Sequence, residues 1–450
     1  MPPLLALILC LFLIYYLFHF DIKQKHNVSS TLWITLLWIL ILGSKPIALW
    51  LNPAGGSVVI EDVSEGSAVD RTIFIILMLL GLWVLSKRKI NWAALFSRNR
   101  WLVLFFLFGA VSIIWSEYPF VAFKRWIRGI GSIMMVLIVL TEADPVEAVT
   151  TLIRRTAYVF IPLSIVLIKY YPGLGTGYEK WTGMQMFTGV TTTKNELGRI
   201  CMICGFYFCW SIYTKWREVS QVFQYKYIHI VFLLMIFWLF AKANSATASA
   251  CFVTGLVLIV TTGIPVIKRN LGNIGIYFVI TISIFFLLDW TINIRAIIFE
   301  FLGRNVTLTD RTYIWQGLLS LNTNPWIGSG YESFWLRSDV ARLLESWPYG
   351  HINESHNGYL EMYFNQGFIG LFLFSMVAIA AYRNSKRELL TNFTFGQFKI
   401  ALFVMILIYN YTEAGFRNTS MVLFFFLILS LFVPSRPGNQ VRENVSPVLT

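Results

Sequence analysis

Charge is scarce in this sequence. Only 13% of its 450 residues are Asp, Glu, Lys or Arg, whereas 57% are hydrophobic and 17% aromatic. A soluble globule exposes far more charge than this, so water is excluded as the chain's main solvent. Cysteine is scarce too, and Cys10, Cys201, Cys204, Cys209 and Cys251 all fall within or beside apolar runs. Cys201 and Cys204 have a CxxC spacing but no second ligand pair, so all five read as small core residues rather than as metal or redox ligands. No P-loop occurs, and no internal repeat, low-complexity tract or appended soluble domain is visible. The net charge of +13 is dispersed through short segments between apolar runs. That is the pattern of topology signals, not the continuous basic stripe of a nucleic-acid binder.

What is abundant is apolar length. Runs of roughly 18 residues recur from end to end, enough for a helix to cross a hydrocarbon core, and helices close their own backbone hydrogen bonds there. Spans are expected near residues 3–20, 31–51, 71–86, 101–115, 122–140, 152–169, 197–213, 227–241, 246–266, 273–291, 358–382, 398–412 and 418–433. The first lacks a preceding basic stretch and a small-residue cleavage site, and Lys23 and Lys25 follow it, so it reads as an uncleaved span. The expected fold is an all-α polytopic membrane protein of about 12–13 transmembrane helices, residues 1–450 forming a single membrane domain.

Every second connection is basic, with Lys23 and Lys25, then Lys87, Arg88, Lys89, Arg98 and Arg100, then Arg154 and Arg155, then Lys215, Arg217 and Lys226, then Lys268 and Arg269, then Arg383, Lys386 and Arg387, and finally Arg436 and Arg442. Cytoplasmic loops are enriched in Lys and Arg. The amino terminus is therefore expected outside and the carboxyl terminus inside. The acidic loop from Glu61 to Asp70 and the one large polar loop, residues 292–357, fall outside. Within that loop, Asp310 to Leu321 and Tyr331 to Trp347 have helical spacing, separated by the turn-forming Asn322 to Gly330.

Basic residues that defy this bias call for another explanation, because burying them in or beyond a span is unfavourable. Lys124, Arg125 and Arg128 head the fifth span, Lys194 and Arg199 flank Asn195 at the start of the seventh, Lys242 ends the eighth, and Arg311 opens the first loop helix. Cations converging on one side suit an anion with several oxygens, such as a pyrophosphate; pairing with lipid phosphates or nearby carboxylates is the plainer reading. His356 stands where the large loop re-enters the membrane, in ESHNGYLE from Glu354 to Glu361. A neutral imidazole there can accept a hydroxyl proton, with Glu354 or Glu361 to orient it. An ordinary hydrogen-bonding role at the interface is the plainer alternative, and His351 is a nearby competitor.

The stretch TLTDRTYIW from Thr307, PWIGSG from Pro325 with Phe334 and Trp335, SHNGYL from Ser355 and GFIG from Gly367 resembles, in order and spacing, the O-antigen ligase and polysaccharide polymerase superfamily. WSEYP from Trp115 and GVTTTKNELG from Gly189 are similar to its exopolysaccharide branch, and the resemblance covers residues 100–430. It implies a GT-C-like glycosyltransferase that moves a glycan from an undecaprenyl-pyrophosphate carrier to a sugar hydroxyl at the outer side of the bacterial cytoplasmic membrane. It implies His356 as catalytic base and Arg311 as a pyrophosphate ligand; the other converging cations, Arg125, Arg128, Lys194, Arg199 and Lys242, are expected to join Arg311 on the pyrophosphate, with Asn195, Asn357 and Glu361 in support. No acidic cluster with metal-site spacing is visible on the outer side, so transfer is expected to need no metal, and no cofactor is expected. Partners would be the lipid-linked donor, the glycan acceptor, membrane lipids, a chain-length regulator and other export proteins, but no nucleic acid. Two departures stand out. Thr193 replaces a histidine usual in the exopolysaccharide branch, and Ala246 follows Ser245 where the family often has a basic residue, a charge Lys242 is expected to supply from the same helical face four residues earlier. An O-antigen ligase differs from a polymerase only in its acceptor. A transporter or flippase would instead carry charges at mid-membrane and paired broken helices.

Overall fold

A computed structural model describes the chain except residues 25–26, 52–66, 179–182, 216–222, 295, 298–310, 346–351 and 435–450. It is built from α1 (Pro3–Lys23), α2 (Leu32–Leu42), α3 (Ile47–Leu51), α4 (Ala68–Lys87), α5 (Trp92–Arg98), α6 (Arg100–Val111), α7 (Pro119–Leu140), α8 (Pro145–Tyr170) and the short α9 (Pro172–Gly175). A small antiparallel hairpin follows, β1 (Thr176–Tyr178) and β2 (Gln185–Phe187), with Gly177 opposite Met186. Then come α10 (Lys194–Lys215), α11 (Phe223–Ala243), α12 (Ala246–Gly263), α13 (Pro265–Arg269), α14 (Ile274–Ile292), α15 (Arg311–Leu319), α16 (Ser338–Glu345), α17 (Gly358–Thr391), α18 (Phe393–Thr412) and α19 (Met421–Ser430). The chain is an all-α polytopic membrane protein.

Among the described residues, eight helices are long and apolar enough to cross a bilayer, or nine if α5 and α6, bent by 86°, make one span. Each expected span contains helix, but some are interrupted or charged. Residues 31–51 divide into α2 and α3 at Gly43-Ser-Lys-Pro46, where proline ends helical pairing. α7 retains Lys124, Arg125 and Arg128 within its 22 residues. α2, α19 and the Tyr227–Ala243 part of α11 are shorter apolar helices.

Burial is graded across the bundle. The apolar windows of α8 and α10 are 78% buried, and every residue of α19 is buried, whereas α1 and α14 keep only 17% and 11% buried and turn their leucines, isoleucines and phenylalanines outward. Without a water-driven force between helices, lipid contact is the natural environment of such faces.

Polar contacts sort the connections onto two faces. On one, Glu142 accepts from the Ser29 amide (2.8 Å) and from Thr31 Oγ1 (3.1 Å) and pairs with Arg88. On the same face, Asp21 receives Arg154 Nε and Arg155 Nε at 2.7 Å each. Arg154 and Arg155 thus lie inside α8, buried and paired, rather than in a loop. On the opposite face Ser67 caps α4 by accepting from the Asp70 amide (3.1 Å), and Asp70, buried in the first turn, accepts from the Ile47 amide (2.9 Å). His356 lies on this second face.

The loop between α14 and α17 enters the bundle through a joint. α17 breaks at Gly367, whose φ of +62° is left-handed and whose Cβ, if present, would lie 2.3 Å from the carbonyl carbon of Trp326. Into the break fits the PWIGSG turn. Ser329 N donates to Phe364 O (3.0 Å) and Gly330 N to Asn365 O (2.9 Å), while Phe368 N and Ile369 N donate to Pro325 O (2.8 Å) and Trp326 O (3.1 Å). Backbone groups orphaned by the break are thereby satisfied, as a low-dielectric setting demands.

Candidate functional site

The site grows from the start of α17. Asn357 is its N-cap, the side-chain oxygen accepting from the amides of Tyr359 (2.9 Å) and Leu360 (3.1 Å). The residue before that cap must turn sharply, and His356 does so with φ +50°, a left-handed conformation uncommon for a residue with a Cβ. The turn presents Nδ1 to two carboxylates, Glu354 Oε1 at 3.0 Å and Glu413 Oε2 at 3.6 Å. These are ion-pair contacts rather than aligned hydrogen bonds. The His356 side chain keeps 27% of its surface exposed, while Glu413 keeps 5%.

Arginines complete the cluster. Arg311 Nη2 meets Glu413 Oε1 at 2.8 Å, and Arg417 Nη1 lies 3.6 Å from Glu354 Oε2. Arg199, buried in α10, donates to Ser420 Oγ (3.1 Å) and pairs with Glu196 (3.3 Å). Four segments distant in sequence therefore converge, and each carboxylate on the imidazole has a guanidinium on its other oxygen.

Burial by itself would push the His356 pKa down, but Glu354 and Glu413 outweigh it and carry it up to about 9. Burial likewise works against ionisation of Glu354 and Glu413, and the cations around them hold both carboxyls below the usual range. The resting ring is thus an imidazolium at neutral pH. That corrects the expectation of a neutral imidazole, because the partners sequence reading supplied were one carboxylate and the structure supplies two.

Glu361 does not touch the ring. It accepts from Trp335 Nε1 (3.1 and 3.0 Å) and the Ser355 amide (2.6 Å). Arg125 donates to the Glu332 carbonyl, and its own carbonyl accepts from Asn418 Nδ2 (3.0 Å), so it ties α7 to the loop. Arg128 lies over the Phe74 ring at 5.0 Å. Lys194 and Asn195 open α10, where Thr193 Oγ1 accepts from the Glu196 amide (3.2 Å) and Glu196 reaches back to the Thr192 amide (3.1 Å). Threonine at 193 is therefore a helix cap. Lys242 stands over Phe187 and Trp238 at 4.9 and 5.7 Å. It ends α11, Ala246 begins α12, and Asn244 turns the chain between them with φ +46°. The shared helical face expected of Lys242 and Ala246 does not exist, since the i,i+4 rule holds only within one helix. His351 lies outside the described residues.

Glu413 and Arg417 were missed by sequence reasoning. The signal was present as two opposite charges in TEAGFRN, a connection of only a few residues between apolar runs, but its pairing with Arg311 spans 102 positions. A small cavity beside the cluster, with room of about 30 Å³, is lined by Tyr331, Glu332, Glu361, Gln366 and Arg417. Neither polar atom of the Gln366 amide has a protein partner there, and the room suits a water molecule. His356 Nδ1 and one oxygen each of Glu354 and Glu413 lie within 4.8 Å of one another, a spacing that admits a metal ion. Arg311 and Arg417 already neutralise those carboxylates, so the donor set is better matched to protons and guanidiniums than to a divalent cation.

The O-antigen ligase family model matches residues 229–375, which include Arg311, the PWIGSG turn and His356. The exopolysaccharide production protein ExoQ of Rhizobium meliloti (strain 1021) is 26% identical over 331 residues, 70% of this chain and 72% of that protein. Over these residues the chain is similar to the O-antigen ligase family and to an exopolysaccharide production protein. The matched region carries His356, Glu354 and Arg311, whereas Arg199 and the Glu413 to Arg417 connection are brought to them from outside it.

Proposed function

We propose that the chain transfers glycan units from an undecaprenyl-pyrophosphate carrier to an acceptor sugar hydroxyl at the outer side of the cytoplasmic membrane, with residues 292–357 forming the external loop. The observation that carries this reading is the placement of His356 between Glu354 and Glu413, ringed by Arg311, Arg417 and Arg199. Such a donor brings its own leaving group, so no nucleotide is needed. The protein has two tasks, to accept the hydroxyl proton and to stabilise the charge that develops on the departing pyrophosphate.

In this reading Nδ1–H faces the carboxylates, and Nε2 accepts the proton as the acceptor oxygen bonds to the donor's anomeric carbon and the bond from that carbon to phosphate breaks. Glu354 and Glu413 stabilise the imidazolium so formed. The same stabilisation leaves few rings neutral at pH 7, so the base is strong but mostly occupied until the pH rises. Arg311 supplies a planar fork for phosphate oxygens, and Arg417 and Arg199 add positive charge nearby. Polymerase is favoured over ligase by the likeness to an exopolysaccharide production protein. A flippase is disfavoured because these cations gather at one end of the bundle rather than at mid-membrane.

Replacing Arg311 by Ala tests the donor half of this reading. Product should be lost while membrane-inserted protein remains, and Arg311→Lys should restore little, because an ammonium cannot make a bidentate contact. Full activity in Arg311→Ala would remove the role.

A further inference from the structure

We propose that Trp315 and Glu361 are positioning residues that hold the Ser355 peptide from both sides, and so keep His356 in its left-handed turn with its ring between Glu354 and Glu413. The peptide bond joining Ser355 to its neighbours is unusually well held. Glu361 Oε1 accepts from the Ser355 amide at 2.6 Å, Trp315 Nε1 donates to the Ser355 carbonyl at 2.8 Å, and Ser355 Oγ donates to Asn357 O at 2.9 Å. Glu361 is fixed in turn by Trp335 Nε1, which reaches both of its oxygens. Ser355 is fully buried and Glu361 is 4% exposed, so water does not compete for these bonds.

The geometry assigns a purpose to an otherwise unfavourable backbone. A left-handed histidine persists only where its surroundings over-determine it. Here the turn is what brings Nδ1 to the two carboxylates, while Trp315 and Glu361 bond to the Ser355 backbone and not to the ring. The clamp also joins the separated motifs. Trp315 comes from α15, Trp335 from the turn before α16, and Ser355 and Glu361 from the start of α17. They meet at one peptide, next to the one residue whose ring faces both acids.

The inference rests on the base assignment of His356, and its test is chosen to be independent of catalysis. Diethyl pyrocarbonate acylates neutral imidazole, and His356 is exposed enough to react. Full-length protein in detergent is treated across a pH series, and modification of the His356 peptide is read by mass spectrometry. The groups that set this titration are Glu354, Glu413, Arg311, Arg417 and Arg199. Trp315→Phe and Trp335→Phe remove one N–H each and no charge, so any change reports geometry. Wild type should be half-modified near pH 9. In Trp315→Phe the midpoint should fall by roughly one pH unit or more, toward the ordinary value for histidine, and Trp335→Phe should follow in the same direction. A clamp that merely stabilised the fold would lower the amount of protein and leave the midpoint of the remainder in place. Midpoints in both variants that coincide with wild type would overturn the proposal. Should Trp315→Phe fail to accumulate, Trp335→Phe decides. Loss of the glycan-transfer reading would appear separately, as product formation that does not depend on His356.

Discussion

Two carboxylates within 3.6 Å of one ring nitrogen give His356 a titration that can be followed in both activity and stability. With the ring's pKa raised to about 9, transfer by the free enzyme should increase with pH and level off above that value. A profile that instead falls through pH 9 would make His356 a phosphate-binding cation and not a base. Glu413→Gln should move the rising limb to lower pH, since it removes one of the two charges that stabilise the imidazolium. The stability contribution runs in the opposite sense for the two partners. A raised histidine pKa stabilises the fold fully below the model-peptide value of 6.5, and that contribution is lost as pH rises through about 9. Depressed carboxyl values at Glu354 and Glu413 stabilise above 4.5 and lose their effect as pH falls below it. Sequence alone marked His356, Arg311, Glu354 and Glu361 as a group worth attention. It misplaced Glu361, which acts on a backbone amide, and passed over Glu413 and Arg417, because a charged pair between two apolar runs looks like an ordinary loop until its partner 102 residues away is known.

At the level of elements, the GFIG and PWIGSG motifs have a mechanical reading. They form the joint at which α17 breaks, exchange four backbone hydrogen bonds and leave no space for a Cβ at Gly367 or Gly328. Gly367→Ala combines a left-handed φ with a contact of 2.3 Å to backbone, so the loop cannot seat as it does now. The substitution should destabilise the protein by at least about 1–2 kcal/mol from backbone conformation alone, read as a lowered midpoint in thermal melting of the detergent-solubilised chain; an unchanged midpoint would mean that the joint yields. Periodicity and apolar length made the helices legible, including α15 and α16, since hydrophobic spacing is a local property, although the helix expected from Tyr331 begins only at Ser338, after a turn and the short 3-10 helix Phe334–Leu336. The breaks were less so. Residues 31–51 look like one span because Gly43 and Pro46 sit amid leucines and isoleucines, and a four-residue spacing made Lys242 and Ala246 look like one helical face although Asn244 between them, a residue that favours turns, was the signal of the break.

Across the whole molecule, contacts sort onto two faces, with Ser29, Arg88 and Glu142 on one and Arg311, His356 and Glu413 on the other, and the basic connections are proposed to mark the first as cytoplasmic. The loop carrying α16 should therefore be accessible from outside the cell membrane. A cysteine placed by Ser338→Cys should react with an impermeant thiol reagent in intact spheroplasts, and reaction only after lysis would reverse the orientation. The proposed function turns on proton transfer by His356 in glycan polymerisation. The direct measurement is product formation from lipid-linked repeat units by membranes holding equal amounts of folded wild-type and His356→Ala protein. The rate of His356→Ala should be lower by roughly 100-fold or more, with the lipid-linked unit accumulating. A His356→Ala rate within a few-fold of wild type would contradict it.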